Sequence, residues 1–107
     1  MTTELREPII HPERGEIELA AVLHALSDPV RLRIVAALAA EDGERPCGSF
    51  ELPVTKSTCT HHFKVLREAG VIRQRQVGAT RLNALRRDDL EARFPRLLET
   101  VLSAARA

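Results

Sequence analysis

Residues 55–85 constrain the fold more than any other stretch of the chain. Thr55 is a good N-cap, because its hydroxyl can accept a hydrogen bond from a free N–H of the first helical turn. From residue 56 to 69, Cys59, Phe63 and Leu66 recur at helical spacing with His62 beside them, while Thr58, His61, Lys64 and Arg67 lie away from that stripe. Gly70 follows as the stop, where a left-handed backbone costs Gly least. Residues 71–77 then read as a strand, Gly78-Ala79 as a tight turn and residues 80–85 as an alternating return strand. A helix therefore runs straight into a hairpin that carries Arg73, Arg75 and Arg81.

The flanking segments are helical. Ser27-Asp28-Pro29 starts a helix: Ser27 or Asp28 can take the first N–H groups, and Pro29 suits the first turn. Val30, Ile34, Val35 and Leu38 form its apolar stripe, with Arg31 and Arg33 pointing elsewhere. Before it, residues 14–26 read as a first helix with two apolar stripes. Leu19, Val22, Leu23 and Leu26 make one; Ile17, Ala20, Ala21 and Ala25 make the other. A helix apolar over so much of its circumference needs cover on more than one side, and a second subunit is one source. Residues 41–46 read as a polar turn, and residues 47–54 as a helical turn or two at most. Asp88 or Asp89 is expected to cap a last helical region bearing Leu90 and Phe94, then Leu97, Leu98, Val101, Leu102 and Ala105, interrupted at Pro95. Residues 1–13 have no clear period and read as an N-terminal arm, leaving one domain at 14–107.

Charge divides the chain sharply. Residues 1–53 hold five basic and ten acidic side chains, and residues 88–107 three basic and four acidic. Between them, residues 54–87 carry Lys56, Lys64, Arg67, Arg73, Arg75, Arg81, Arg86 and Arg87 against Glu68 alone. A basic segment in an otherwise acidic chain is the footprint of a polyanion partner. Three Phe and no Trp or Tyr leave little to stack on exposed bases, which argues against a single-strand or RNA binder. Two cysteines do not make a disulfide scaffold. No apolar run reaches the roughly 20 residues that span a bilayer, and no leader is evident, so a cytoplasmic protein without a membrane partner is expected.

Helix, helix, short helix, helix, hairpin, helix is the order of a winged helix-turn-helix: mainly α, with a two-stranded β-hairpin wing. The predicted function is binding of duplex DNA. The helix at 56–69 would enter the major groove, where base edges are distinguishable, presenting Lys56, Ser57, Thr58, Thr60, His61 and Lys64. The wing at 71–85 would place Arg73, Arg75 and Arg81 on the backbone or in the minor groove; no acid near them in the sequence competes for these arginines.

Two motifs carry a family resemblance. Ser27-Asp28-Pro29-Val30-Arg31-Leu32-Arg33-Ile34 resembles the second-helix signature of ArsR-type bacterial transcriptional regulators. Residues 57–72, Ser-Thr-Cys-Thr-His-His-Phe-Lys-Val-Leu-Arg-Glu-Ala-Gly-Val-Ile, resemble their recognition helix running into the wing. The resemblance implies a homodimer built from the first and last helices, a two-fold symmetric operator, and repression relieved by a signal. Metal-sensing members often carry Cys-x-Cys in the third helix; here Cys47 is followed by Gly48 and Ser49. Another common site uses Asp and His on the last helix; here there are Asp88, Asp89, Glu91 and Glu99 but no His. Neither set carries over, so no metal or other cofactor is assigned.

The remaining candidates divide as follows. His61 and His62 point about 100° apart on a helix, which suits one DNA contact and one packing residue better than a metal pair. His11 and His24 read as hydrated surface residues. Cys59 falls on the buried stripe as a small hydrophobe, and Cys47 in a flexible polar neighbourhood; the pair is also a candidate redox site. Arg31 has two readings, a phosphate contact or an intramolecular partner. Competing functions are a winged-helix module for protein partners and a thiol- or metal-responsive variant of the same repressor. No phosphate loop, metal-ligand spacing or nucleophile–base pair supports an enzyme.

Overall fold

The structure, a computed structural model, describes residues 9–106. Most of the expected arm, residues 1–8, lies outside the described residues. Five α-helices and a small sheet make up the rest: α1 (Leu19–Leu26), α2 (Pro29–Ala39), β1 (Arg45–Pro46), α3 (Lys56–Ala69), β2 (Ile72–Val77), β3 (Thr80–Leu85), α4 (Arg87–Arg93) and α5 (Leu97–Arg106). The molecule is thus mainly helical, with a β-hairpin wing.

The first helix begins later than its apolar pattern suggests. Glu13 and Glu16 close a capping box around a single 3-10 turn, Arg14–Glu16. Ile17 and Glu18 are then extended, and α1 starts at Leu19. The reason lies in the core. Ile17 leaves the helix to bury its side chain against Gly70, where an added Cβ would sit 2.6 Å from Ile17 Cγ1. Gly70 has φ +88° and ends α3. One glycine therefore serves both the left-handed stop and the seat of Ile17.

Asp28 caps α2, accepting from the N–H groups of Val30 (2.8 Å) and Arg31 (3.1 Å), with Pro29 in the first turn. Burial would raise the Asp28 carboxyl, but those N–H groups outweigh it and hold the carboxyl below its usual range. Ile34, Val35 and Leu38 are buried as their spacing predicts. At the far end, the Arg87 guanidinium donates to the carbonyls of Leu38, Ala39 and Glu41 at 2.8–3.2 Å, taking up acceptors left free where the helix ends.

The polar turn at 41–46 ends in a feature absent from the expected pattern. Arg45 and Pro46 pair with Asn83 and Leu82, so the hairpin is the larger part of a three-stranded antiparallel sheet in the order β1-β3-β2. The side chain of fully buried Asn83 reinforces the join by donating to the Arg45 carbonyl at 3.1 Å. Two residues are too few to show a strand period. The segment after β1 contains one 3-10 turn, Cys47–Ser49.

The hairpin turns at Gly78 (φ +60°) and Ala79. Helix α4 is not capped by Asp88 or Asp89. Arg86 occupies the cap position, because the Asp89 carboxylate is engaged by Arg14 (2.7 Å), Arg86 (2.8 Å) and Arg73 (3.4 Å). The hydrogen bond from Arg14, aided by Arg86, keeps the Asp89 carboxyl below its usual range. Pro95 breaks the last helical region, and Arg96, at φ +70°, turns the chain into α5. Val22, Ala25, Leu26, Phe63, Leu66, Val71, Ile72, Leu90 and Leu102 join Ile17 and the α2 stripe in one core.

Candidate nucleic-acid interface

The exposed face of α3 is built from the cap outward. The Thr55 hydroxyl accepts from the Thr58 N–H at 3.3 Å and lies 3.0 Å from the Thr58 hydroxyl. Phe63 and Leu66 point into the core, which turns Lys56, Ser57, Thr58, Thr60, His61 and Lys64 to solvent. All six reading-side candidates are exposed and share this helix. Thr60 returns its hydroxyl to the Lys56 carbonyl at 3.0 Å.

Behind the helix, two charged side chains take unexpected positions. Arg31 is buried, donating to the carbonyls of Ala25 (2.7 Å) and His24 (3.4 Å) and lying 3.0 Å from His62 Nδ1. It joins α1, α2 and α3, so it acts within the molecule and not as a surface phosphate contact. A guanidinium can only donate, so the 3.0 Å contact casts Nδ1 as acceptor. His62 is the packing member of the histidine pair and His61 the exposed one. Arg67, read from its spacing as outward, is also buried. Its Nη1 donates to Gln74 Oε1 at 2.9 Å, while its Nε has no hydrogen-bond partner among the described residues.

The three wing arginines do not share a face. Gln74 pairs with Asn83 and Gln76 with Arg81, and these four side chains lie on the sheet face toward α3. Arg73 and Arg75 alternate onto the opposite face. There the Arg75 guanidinium makes a two-pronged contact with Glu44, its Nη2 lying 2.7 Å from Oε1, and Arg73 reaches Asp89. Arg75's hydrogen bonds hold the Glu44 carboxyl below its usual range, and Glu44 raises the Arg75 guanidinium in return. The expectation that no acid competes for the wing arginines is therefore corrected. The competitors come from distant parts of the sequence, which local spacing does not reveal.

Arg81 differs. It is half-buried, bonded through Nε to the neutral Gln76 side chain at 3.1 Å, and faces a groove of about 820 Å³ between α3 and the wing. Lys56, Thr60, Lys64 and Arg67 line its helix side, and Gln76 and Arg81 its wing side. Among the described residues, Lys56, Lys64 and Arg81 have no acidic partner within 4.0 Å. The other five cations of the basic segment hold helix ends, buried amides or carboxylates. Gln76 is a groove residue that sequence reasoning missed. The register set by the Gly78-Ala79 turn, which places Gln76 opposite Arg81, would have found it.

The other candidates lie elsewhere. His11 is no hydrated surface residue: its Nε2 accepts from the Gln74 backbone N–H at 2.9 Å, on the outer edge of the sheet. Burial, with Arg73, Arg86 and Arg67 nearby, holds its pKa down. Cys47 lies between the polar groove and an apolar cavity that Phe50, Phe63 and Cys59 also line. Both thiols are half-buried, so Cys59 is less enclosed than its place on the helical stripe suggests. Among the described residues, no three His, Cys, Asp or Glu side chains converge as a metal site, and no helix is long and apolar enough to cross a membrane.

A capped helix presented to solvent, braced by α1 and α2 and flanked by a hairpin, defines a winged helix-turn-helix protein. Comparison with known proteins agrees. Residues 26–75 match the helix-turn-helix domain family. An uncharacterized HTH-type transcriptional regulator of Bacillus subtilis (strain 168), YceK, is 37% identical over 84 residues, covering 77% of this chain and 84% of that protein. The crystal structure of the transcriptional repressor BigR from Xylella fastidiosa superimposes with a TM-score of 0.62 at 28% identity, over 80% of this chain and 84% of that one. That of the ArsR family transcriptional regulator RHA00566 does so with a TM-score of 0.65 at 22% identity, over 82% and 92%. The chain belongs to the helix-turn-helix transcriptional regulators, and its fold is that of the ArsR-type winged helix. These relatives are regulators of transcription, not enzymes.

Proposed function

We propose that the chain is a cytoplasmic transcriptional repressor that binds a two-fold symmetric duplex operator as a homodimer. The observation that carries this reading is the exposed face of α3, where Lys56, Ser57, Thr58, Thr60, His61 and Lys64 adjoin a groove closed by Arg81. Helix α3 enters the major groove. Thr60 and His61 meet base edges, while Lys56, Lys64 and the N-terminal turn with Ser57 and Thr58 meet phosphates. On the wing, Arg81 is the first contact with the backbone. Arg73 and Arg75 contribute less, because each must share its charge with a carboxylate.

Pairing of two chains through α1 and α5 is supported by the apolar side chains left outside the core, with Leu19 and Leu23 each 46% exposed. Repression is supported by the likeness to BigR. The test is selection from a random duplex library with the full chain. The expected outcome is an inverted repeat whose half-sites lie about one helical turn, roughly 34–36 Å, apart or a multiple of it. Enrichment of no sequence, or of a single unrepeated site, contradicts the reading.

A further inference from the structure

Beneath the first turns of α3, next to the groove, lies a cavity of about 420 Å³. Phe50, Leu52, Val54 and Phe63 make it apolar, and Cys47 and Cys59 both open into it. Lys56 and Thr60, which stand on the reading helix, line the same cavity. The two thiols differ. Cys47 Sγ accepts a hydrogen bond from Asn83 Nδ2 at 3.1 Å. Burial and the nearness of Cys47 push the Cys59 thiol up, so it stays protonated.

Cys47 is also the end of a buried chain of hydrogen bonds. Asn83 Oδ1 accepts from Gln74 Nε2 at 2.7 Å, and Gln74 Oε1 accepts from Arg67 Nη1 at 2.9 Å. Gln74 and Asn83 are 3% and 0% exposed, so neither finds water if the chain is broken. The route runs from the 3-10 turn, through both strands of the wing, to the reading helix. The turn is held through side chains, by Ser49 Oγ donating to the Pro46 carbonyl at 2.7 Å and Arg45 donating to the Ser49 carbonyl at 2.8 Å. Its backbone bond, from the Phe50 N–H to the Cys47 carbonyl, is 3.5 Å long, and the space beside Gly48 is open.

We propose that Cys47 and Cys59 form a peroxide-responsive dithiol whose closure to an intrachain disulfide disables the reading helix. The effect on DNA rests on the function proposed above; the thiol chemistry does not. The Cys47 sulfur attacks a hydroperoxide oxygen: an S–O bond forms, the O–O bond breaks, and the alcohol leaves with the thiol proton. Cys59 then attacks the sulfenic sulfur: the S–S bond forms, the S–O bond breaks, and water leaves with the second thiol proton. Two thiols and one hydroperoxide become one disulfide, one alcohol and one water. Closure draws the 3-10 turn onto α3, removes the Cys47 acceptor from Asn83, and shifts the turns that carry Lys56 and Thr60.

The experiment oxidises the full chain with hydrogen peroxide, maps its disulfides by mass spectrometry, and measures affinity for the selected duplex before and after. The expected result is a Cys47–Cys59 bond within one chain and a loss of affinity of about tenfold that dithiothreitol reverses. Cys47→Ser and Cys59→Ser should bind like the reduced parent and lose the reversible response. The proposal is overturned if peroxide consumes the thiols without that bond, if the bond forms and affinity holds, or if the doubly substituted chain responds like the parent. Should the reduced parent bind no duplex, the operator reading fails separately. Hydrogen exchange then decides the dithiol: faster exchange across residues 56–63 after oxidation supports it, and unchanged protection overturns it.

Discussion

Arg31 and Gly70 show how single residues hold the reading helix in place. Arg31 puts a guanidinium under the surface among the carbonyls of Ala25 and His24 and the ring of His62. Replacing it takes that donor from the Ala25 carbonyl and the His62 ring, while the His24 carbonyl keeps its bonds from Ser27. Arg31→Ala should destabilise the chain by about 2–3 kcal/mol in urea unfolding, while the folded variant keeps the parent's salt dependence of DNA binding. A shallower salt slope with unchanged stability would mean that Arg31 meets a phosphate after all. Gly70 is constrained twice, by φ +88° and by Ile17 at 2.6 Å from the missing Cβ. Gly70→Ala should therefore cost about 1–3 kcal/mol of stability, and a neutral result would show that Ile17 can move aside.

At the scale of elements, the wing is a divided object. One sheet face joins Arg81 to the groove beside α3, and the other carries Arg73 and Arg75 in ion pairs with Asp89 and Glu44. Arg81→Ala should weaken operator binding more than Arg75→Ala does, as read by fluorescence anisotropy; the reverse order would move the DNA contact to the outer face. The outer edge of β2 is covered by His11, whose ring accepts from the Gln74 N–H. Its folded pKa lies below the ordinary 6.5, so the unfolded chain takes up the proton first as pH falls. The stability this contact contributes is whole above about pH 6.5 and is lost as pH drops from there through the folded value. Urea unfolding at about pH 7.5 and 5.5 should show that loss, and His11→Ala should flatten it. The lowered carboxylates, Asp28 and Asp89, titrate below their ordinary 3.8 and stay outside that window.

Much of this was legible in the residues. Thr55, Gly70 and Gly78 punctuate α3 and the hairpin because caps and turns are local chemistry. The exposed set on α3 follows from the 3.6-residue period around Phe63 and Leu66. The destinations of long charged side chains did not follow. Arg31 and Arg67 sit at the margin of the apolar stripe, and partners far away in sequence decide that they turn inward. The same holds for Glu44 on Arg75 and for Asp89, which leaves the cap of α4 to join three arginines. Ile17 fits the helical pattern of α1, yet the cavity over Gly70 draws it out of the helix.

For the whole molecule, net charge is a poor guide and placement a good one. Of eight cations in the basic segment, Lys56, Lys64 and Arg81 surround the groove without acidic partners among the described residues, and the other five hold the structure together. Of the large apolar side chains left exposed, Leu19 and Leu23 lie on α1. Leu19→Glu with Leu23→Glu should yield a monomer by analytical ultracentrifugation and weaken operator binding by about a hundredfold. A dimer that survives both changes would move the subunit contact elsewhere. The central claim, that α3 reads duplex DNA, is tested most directly by measuring affinity against salt for the selected duplex and a scrambled one. The selected duplex should bind about a thousandfold tighter, log affinity should fall linearly with log salt, and Lys64→Ala should reduce that slope by about one. Equal affinity for both duplexes, or affinity indifferent to salt, would contradict it.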